Sequence, residues 1–172
     1  SYYRQQLPIM DKLCECVFAA YNPSLLAKLQ RMNASEQRDR TSDQVDAKQQ
    51  GTIDSLNCVE ARRIYDRYGF PDRRLVGVEN ERFFFRIIAH AKLPEMEEYL
   101  TEMRVAVEQG RLLPQFYAEL FDQIQVKRGL PQEFGTQFQY YPKTGRNELY
   151  KSIPMNQVNE NRKHYGLGAT EH

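Results

Sequence analysis

The spacing of large apolar residues constrains the fold of this chain more than any other feature. Over most of the chain before Gly129, these residues recur every three or four positions, which is the spacing of one face of an α-helix. Proline and glycine separate the successive apolar stretches, as expected at helix ends. The sequence therefore predicts helices that begin near Pro8, Pro23, Thr52, Arg82, Pro94 and Pro114.

The apolar period changes in the C-terminal part of the chain. Over residues 134–140, aromatic or β-branched side chains alternate with glycine and glutamine, which is the period of a β-strand. A turn-rich stretch over residues 142–147 follows, and residues 149–153 alternate again. These patterns predict a β-hairpin at about 133–153 and a short last helix at about 155–165.

Composition and charge narrow the class of protein. The chain has 172 residues, of which 41% are hydrophobic and 12% aromatic, enough to bury one sizeable core. We therefore predict a mainly α fold, a single multi-helix domain over residues 1–172 with a small C-terminal β-hairpin packed on the helices. The 24 Lys and Arg residues nearly balance the 23 Asp and Glu residues. This balance argues against nucleic-acid binding driven by net charge.

Hydropathy bears on location. No run of residues approaches the roughly 20 apolar positions that a membrane-spanning helix needs. The N-terminal residues lack the basic flank and the apolar core of a signal peptide. The sequence therefore predicts a soluble protein without a membrane span, either cytoplasmic or exported after removal of a leader. It predicts no oligomeric state.

Cysteine and histidine are too few for a metal centre. The cysteines Cys14, Cys16 and Cys58 lack the paired spacing of four zinc ligands. In an exported protein Cys58 can form a disulfide with Cys14 or Cys16, although buried thiols are the favoured interpretation. The sequence also lacks a phosphate-binding loop and the glycine fingerprint of dinucleotide sites. We therefore predict no metal and no cofactor.

The densest group of polar side chains is the segment Gln132–Gln137, which reads Gln-Glu-Phe-Gly-Thr-Gln. Gln132, Thr136 and Gln137 offer amide and hydroxyl groups that hydrogen-bond a polar ligand but transfer no proton at neutral pH. Gly135 allows close approach of the backbone. Two interpretations stay open: a binding site for a polar small molecule, and a structural tie between hairpin and helices through buried amides.

His90 and Asp122 are the candidate catalytic residues. His90 lies in the apolar run of the helix predicted near Arg82, and an imidazole transfers protons near neutral pH. Asp122 follows two apolar residues on its helix and is the best-placed carboxylate to orient His90. The alternatives are a core histidine with one partner, and an Asp122 that is exposed or paired with Lys127 or Arg128.

A polar segment supplies further candidates. Over residues 31–50, Met32 and Val45 are the only large apolar residues, so this segment is a solvated helix, a mobile loop or the lining of a site. Gln37 and Arg40 would share one face of a helix, where Arg40 can clamp a carboxylate or a phosphate. A solvated polar face is the simpler interpretation.

Several short motifs follow one another in a particular order over residues 29–168. They are Glu36-Gln37 with Arg40, then Pro71, Leu75-Val76-Gly77, His90-Ala91-Lys92, Asp122-Gln123, Gln132–Gln137 and Arg162–Leu167. This order resembles the bacterial domain-of-unknown-function family 6624. The matching patterns of that family are Asp-Gln-x-x-Arg, Leu-Val-Gly, His-Ala-Asp, Asp-Arg and Gln-x-Tyr-Gly-Thr-Gln.

The resemblance implies no established activity, but it adds Glu36 to the candidate ligand-binding residues. Glu36 is a conservative exchange for the aspartate of the pattern. Lys92 stands where the pattern has Asp, and Gln123 stands where it has Arg, so charge is reversed or removed at two positions. If the family consists of enzymes, the resemblance implies that this member is altered, unless both positions lie on the surface.

Two functions of different class follow. In the first, the protein binds a polar small molecule in a pocket, and His90 and Asp122 carry out an acid/base hydrolysis or transfer. The residues that position the molecule are then Glu36, Gln37, Arg40, Gln132, Gly135, Thr136 and Gln137. In the second, the protein is a non-enzymatic module that binds or neutralises a protein partner, which the polar segment 31–50 contacts.

Overall fold

The structure, a computed structural model, describes residues 21–40 and 47–170. Its helices and strands are α1 (Pro23–Arg40), α2 (Ala47–Tyr68), α3 (Arg73–Val76), α4 (Glu81–Ile88), α5 (Leu93–Glu108), α6 (Pro114–Lys127), β1 (Phe138–Tyr141), β2 (Arg146–Leu149) and α7 (Met155–His164). A 3-10 turn over Val78–Asn80 precedes α4. The helix predicted near Pro8 lies outside the described residues.

The described elements confirm a mainly α fold with a small antiparallel hairpin packed on helices near the C-terminus. Contacts between Cα atoms group the chain into an N-terminal unit, residues 1–90, and a C-terminal unit, residues 91–172. The single domain over residues 1–172 stays a prediction. No helix in the described part of the chain is both long and apolar enough to cross a membrane.

The core of the N-terminal unit lies where α1, α2 and α4 contact one another. α1 begins at Pro23, and the side chain of Asn22 caps it by accepting a hydrogen bond from the Leu25 N–H (2.9 Å). Apolar residues one helical turn apart then point into the core. The buried apolar side chains are Leu25, Leu29, Met32, Ala61, Ile64, Phe70, Val76, Phe84, Phe85, Ile87 and Ile88.

The polar segment 31–50 is helical in its described parts. α1 continues to Arg40, and α2 begins at Ala47. Although they are polar, Glu36 and Gln50 are buried. The segment therefore contributes polar groups to the inside of the unit, rather than a fully solvated face.

The buried face of α2 differs from the predicted one. The sequence places Leu56 and Val59 on the apolar face, but these residues are 65% and 53% exposed. Ile64, which the sequence also places on the apolar face, is buried as predicted, but the other buried positions are Asn57 and Ala61. Asn57 lies about 100° around the helix from Leu56, because each residue turns an α-helix by that angle. The distance between packed helices depends on side-chain size at the contact. A face with a small residue such as Ala61 therefore packs closely although it is less apolar.

α4 is the central apolar helix of the N-terminal unit. The sequence predicts that this helix includes His90, but it ends two residues earlier, at Ile88. Phe84 on this helix is fully buried and meets Phe70 edge-on, with ring centroids 5.3 Å apart. Glu81 is also fully buried, and its carboxylate pairs with Arg73 at 3.2 Å. A buried charge needs such a partner, which explains an acidic residue at the start of an apolar helix.

The C-terminal unit is built on α5 and α6, which pack against each other. At the end of α5, Gly110 takes a left-handed φ of +67°, and the Arg111 N–H donates to the Ala106 carbonyl (2.7 Å). Pro114 then begins α6, as predicted. Buried side chains recur every three or four residues: Met96, Tyr99, Met103 and Ala106 on α5, and Tyr117, Leu120 and Ile124 on α6, where Ala118 is buried as well.

The hairpin is shorter than the predicted range 133–153. β1 and β2 pair antiparallel, from Phe138 opposite Leu149 to Tyr141 opposite Arg146. Residues 134–137 alternate in sequence but form no strand. Gly135 takes a left-handed φ of +67°, which interrupts the extended backbone that a strand requires.

We expect Leu29→Ala and Leu56→Ala to differ in their effect on stability, although both remove the same atoms from a helix. Leu29 is fully buried, whereas Leu56 is exposed. Leu29→Ala should lower the free energy of unfolding by about 2–5 kcal/mol, because it removes apolar burial and leaves a cavity. Leu56→Ala should change it by less than about 0.5 kcal/mol. Urea unfolding followed by circular dichroism measures both values, and equal losses would contradict the described core.

Candidate functional site

Asp122 is the centre of the polar contacts in the C-terminal unit. The residue lies on α6 and is fully buried. Its carboxylate accepts hydrogen bonds from the N–H groups of Glu133 (2.8 Å), Phe134 (3.0 Å) and Thr136 (2.9 Å), and from the Thr136 hydroxyl (2.9 Å). Backbone N–H groups that converge in this way form a nest for an anion. The anion in this nest is the protein's own carboxylate.

Gln132 ties the same loop to the segment after β2. The side chain is buried, and its Nε2 donates to the carbonyls of Gln137 (3.1 Å) and Tyr150 (2.8 Å). Its Oε1 accepts from the Gln137 N–H (2.9 Å). The backbone of Gln132 bonds at the same time to the Lys151 carbonyl and the Ile153 N–H. Both ends of the Gln132 amide are therefore bonded to the protein itself.

Phe134 and Gly135 are held by packing. Phe134 is buried and lies edge-on against three rings, those of Tyr117, Phe121 and Tyr165, with centroids 5.5–6.1 Å away. A Cβ on Gly135 would lie 3.4 Å from a side chain of α7, at a φ that disfavours any side chain.

Burial raises the pKa of the Tyr117 hydroxyl well above its ordinary value. That hydroxyl therefore stays protonated at neutral pH.

Thr136 and Gln137 are the members of the motif best placed to meet a ligand, because both are only half-buried. The Thr136 hydroxyl donates to Asp122 and accepts from Nε2 of Gln137 (3.1 Å). The same Nε2 donates to the Glu119 carbonyl of α6 (3.2 Å). The contacts of Asp122, Gln132 and Gly135 support the structural interpretation of this motif. Thr136 and Gln137 also keep part of their side chains exposed, where a ligand could contact them.

Two polar side chains of α7, which the sequence did not single out as site residues, complete this arrangement. Nη1 of Arg162 donates to the Phe134 carbonyl (2.9 Å), and Nδ2 of Asn161 donates to the Glu133 carbonyl (3.2 Å). Carbonyls of the loop that binds Asp122 are thereby bonded as well. For Arg162, the sequence offered one indication, its position in the C-terminal part of the resemblance to family 6624. For Asn161 it offered none.

In the N-terminal unit, His90 pairs with Glu36. Its Nε2 lies 3.2 Å from Oε1 of Glu36. The side chain of Glu36 is 2% exposed, whereas that of His90 is 34% exposed, because α4 ends at Ile88 and His90 lies in the turn that follows. His90 is therefore not a buried core histidine. The carboxylate described beside it is Glu36, while the predicted partner Asp122 bonds to the loop after α6.

Further polar side chains line the contact between α1 and α4. Nε2 of Gln37 donates to Glu36 (2.9 Å). Arg86, in the last turn of α4 and four residues before His90 in the sequence, donates to the side-chain oxygen of Asn33 (3.5 Å). We name Asn33, Glu36, Gln37, Arg86 and His90 the Glu36–His90 cluster. Arg86 pairs with no carboxylate among residues 21–37 and 48–170, whose side chains the structure describes.

The other predicted positions have different surroundings. α1 reaches Arg40, but the side chain of Arg40 lies outside the described part of the chain. Lys92 is exposed at the N-cap of α5, where its N–H donates to Glu95 (3.3 Å). Aspartate is a preferred N-cap residue and lysine is not, so an aspartate at this position would suit the helix cap better than Lys92 does. Gln123 is half-buried on α6, next to Asp122.

Metal binding and disulfide formation concern the acidic, histidine and cysteine side chains. Among them, no group of three or more His, Cys, Asp or Glu side chains is arranged to hold a metal ion. Cys58 is half-buried on α2. Its proposed partners, Cys14 and Cys16, lie outside the described residues, so a disulfide stays a prediction.

A comparison with protein-family models finds no match, and comparisons with the curated proteins and with the solved structures find none either. The resemblance to family 6624 therefore stays a prediction. Function is argued below from the contacts of the side chains themselves.

We expect Asp122→Ala to lower the free energy of unfolding by roughly 2–4 kcal/mol, because buried N–H groups of the Glu133–Thr136 loop would lose their acceptor. Asp122→Asn should also destabilise, since its amide NH₂ would face those donors. Asp66→Ala is the matched control on the exposed surface of α2, with an expected change within about 0.5 kcal/mol. Chemical denaturation measures all three. If Asp122→Ala lowers the free energy of unfolding no more than Asp66→Ala does, the hydrogen bonds to Asp122 do not stabilise the fold.

Proposed function

We propose that the protein binds a polar small molecule at the Glu36–His90 cluster, and that His90 transfers a proton in its hydrolysis or group transfer. The observation that carries the proposal is the 3.2 Å contact between Nε2 of His90 and the buried carboxylate of Glu36. A carboxylate that orients a partly exposed imidazole is the usual support of a general acid or base.

Glu36 controls both the orientation and the tautomer of the imidazole. An ionised carboxylate accepts hydrogen bonds and donates none. In the neutral ring the proton therefore lies on Nε2, and the lone pair lies on Nδ1. When His90 takes up a proton, the negative charge of Glu36 stabilises the imidazolium. His90 can thus act first as a base and then as an acid.

Arg86 favours an anionic group on the ligand. A guanidinium binds a carboxylate or a phosphate through two parallel hydrogen bonds. In the described part of the chain its contact is with the neutral amide of Asn33, so no carboxylate neutralises it there. Arg86 contacts Asn33 and His90 contacts Glu36. Because Asn33 and Glu36 are three residues apart on α1, they share one face of that helix, which supports binding of one small molecule by both Arg86 and His90.

The proposal is tested by a thermal-shift screen against polar metabolites, followed by turnover assays of the compounds that stabilise the protein. For a converted compound, His90→Gln should lower kcat roughly 10²–10⁴-fold, because the proton-transfer group is lost. Glu36→Gln should lower kcat too, since an amide can donate to Nε2 and hold the wrong tautomer.

His164→Gln is the matched control, because His164 is an exposed histidine on α7 outside the cluster. It should leave kcat unchanged. A purely structural ion pair predicts a different result, in which Glu36→Gln lowers the melting temperature but conversion survives in His90→Gln. That outcome would overturn the acid/base proposal.

A protein-binding module is the second candidate function, and one observation favours it. Phe138 and Tyr140 on β1 are 40% and 59% exposed. Alternate residues of a strand share a face, so the two rings lie side by side on one surface of the hairpin. Exposed aromatic residues that form a patch are typical of interaction surfaces.

The protein-binding alternative predicts that a double variant, Phe138→Lys with Tyr140→Lys, abolishes capture of the partner without lowering the melting temperature. Gln139→Lys is the matched control, because Gln139 is exposed on the opposite face of β1. Pull-down with each purified variant measures the retained partner. Equal retention by the wild type and the double variant would contradict this function.

A further inference from the structure

The C-terminal unit contains a cleft with a volume of about 320 Å³. Its polar lining comes from Gln115 and Glu119 of α6, Thr136 of the loop and Arg162 of α7. Ligand pockets in proteins typically measure about 300–1,000 Å³, so this cleft suits a small molecule. Every one of these residues lies in one unit.

Arg162 is held in place in this cleft without being neutralised. Its Nη1 donates to the Phe134 carbonyl (2.9 Å), and its Nε donates to the Gly168 carbonyl. These two bonds fix the plane of the guanidinium, but both acceptors are uncharged. No carboxylate pairs with Arg162 among the side chains that the structure describes, those of residues 21–37 and 48–170. A guanidinium has five N–H donors, so donors remain for a ligand.

Glu119 brings the opposite charge to the same cleft. Its Oε1 accepts a hydrogen bond from Nε2 of Gln115 (2.7 Å), which is uncharged. Glu119 forms no ion pair with any cation that the structure describes. The cleft therefore presents a positive and a negative group that both line it and do not pair with each other.

We propose that this cleft binds a small amphoteric molecule, with its carboxylate at Arg162 and its ammonium group at Glu119. A simple anion would meet the guanidinium but would also lie in a cleft with the Glu119 carboxylate. A simple cation would be attracted by the Glu119 carboxylate but would lie in a cleft with the Arg162 guanidinium. A molecule with both charges complements both groups, and amino acids are the simplest molecules of this kind.

The site is independent of the acid/base proposal, because it lies in the other unit and uses none of the Glu36–His90 cluster. Binding of an amino acid in the cleft should persist in His90→Gln. Failure of one proposal therefore leaves the other unaffected.

The test titrates the full chain with the common L-α-amino acids and with glycine, β-alanine, γ-aminobutyrate and 5-aminovalerate, in which the two charges move apart one methylene at a time. We expect one spacing to bind best, with a Kd of about 1 mM or tighter. Its ¹H–¹⁵N NMR shifts should centre on Thr136 and Gly168. Acetate or methylammonium alone should bind at least about tenfold more weakly, because each makes only one charged contact. Absence of binding by every amino acid overturns the proposal.

Substitutions of Arg162 and Glu119 test whether these two side chains bind the charged groups of the ligand. Arg162→Gln and Glu119→Gln should each weaken binding about tenfold or more. Arg162→Gln also removes the hydrogen bonds to the carbonyls of Phe134 and Gly168, so it can disturb the residues after α7. Glu119→Gln leaves those hydrogen bonds in place. Lys163→Gln is the matched control, since it removes a positive charge from an exposed position of the same helix. An affinity that is unchanged in Glu119→Gln, or equally reduced in Lys163→Gln, overturns the proposal.

Discussion

The C-terminal unit depends on one buried carboxylate that binds backbone N–H groups. Asp122 supplies the acceptors for the loop over Glu133–Thr136, and a buried N–H without an acceptor costs about 1–3 kcal/mol. Because β1 starts two residues after this loop, the loop sets where the hairpin begins. Arg162 and Asn161 then bond to carbonyls of the same loop. A helix, a loop, a hairpin and the last helix are thus joined around a single side chain.

In the N-terminal unit, three buried carboxylates are each paired with a basic side chain. The pairs are Glu36 with His90, Asp72 with Arg74, and Glu81 with Arg73. Burial of an unpaired charge is costly, so each of these contacts offsets part of the cost of burying the carboxylate. The arginines stay charged at every physiological pH, whereas an imidazole changes its charge near neutrality. Of these three pairs, Glu36–His90 is therefore the one whose basic side chain can gain or lose a proton near neutral pH.

Local sequence signals predicted the elements well and the contacts less well. Proline and glycine marked the ends of α5 and α6, and alternation marked the hairpin, because these signals act within a few residues. Part of the buried face of α2 was misplaced, since apolar content favoured Leu56 while packing selects Ala61. The Gln132–Gln137 motif was recognised as a polar centre, but a carboxylate on another helix organises it. Pairing between distant residues has no local signature.

The sequence by itself determined the helical class, the C-terminal hairpin and the polar residues available for chemistry, because periodicity and turn residues act over short distances. Only the tertiary structure decided which carboxylate meets which partner. It brought Glu36 to His90, and it committed Asp122 to backbone N–H groups. The physical reason is that each buried charge must find a partner in three dimensions, and the packing of the helices selects that partner.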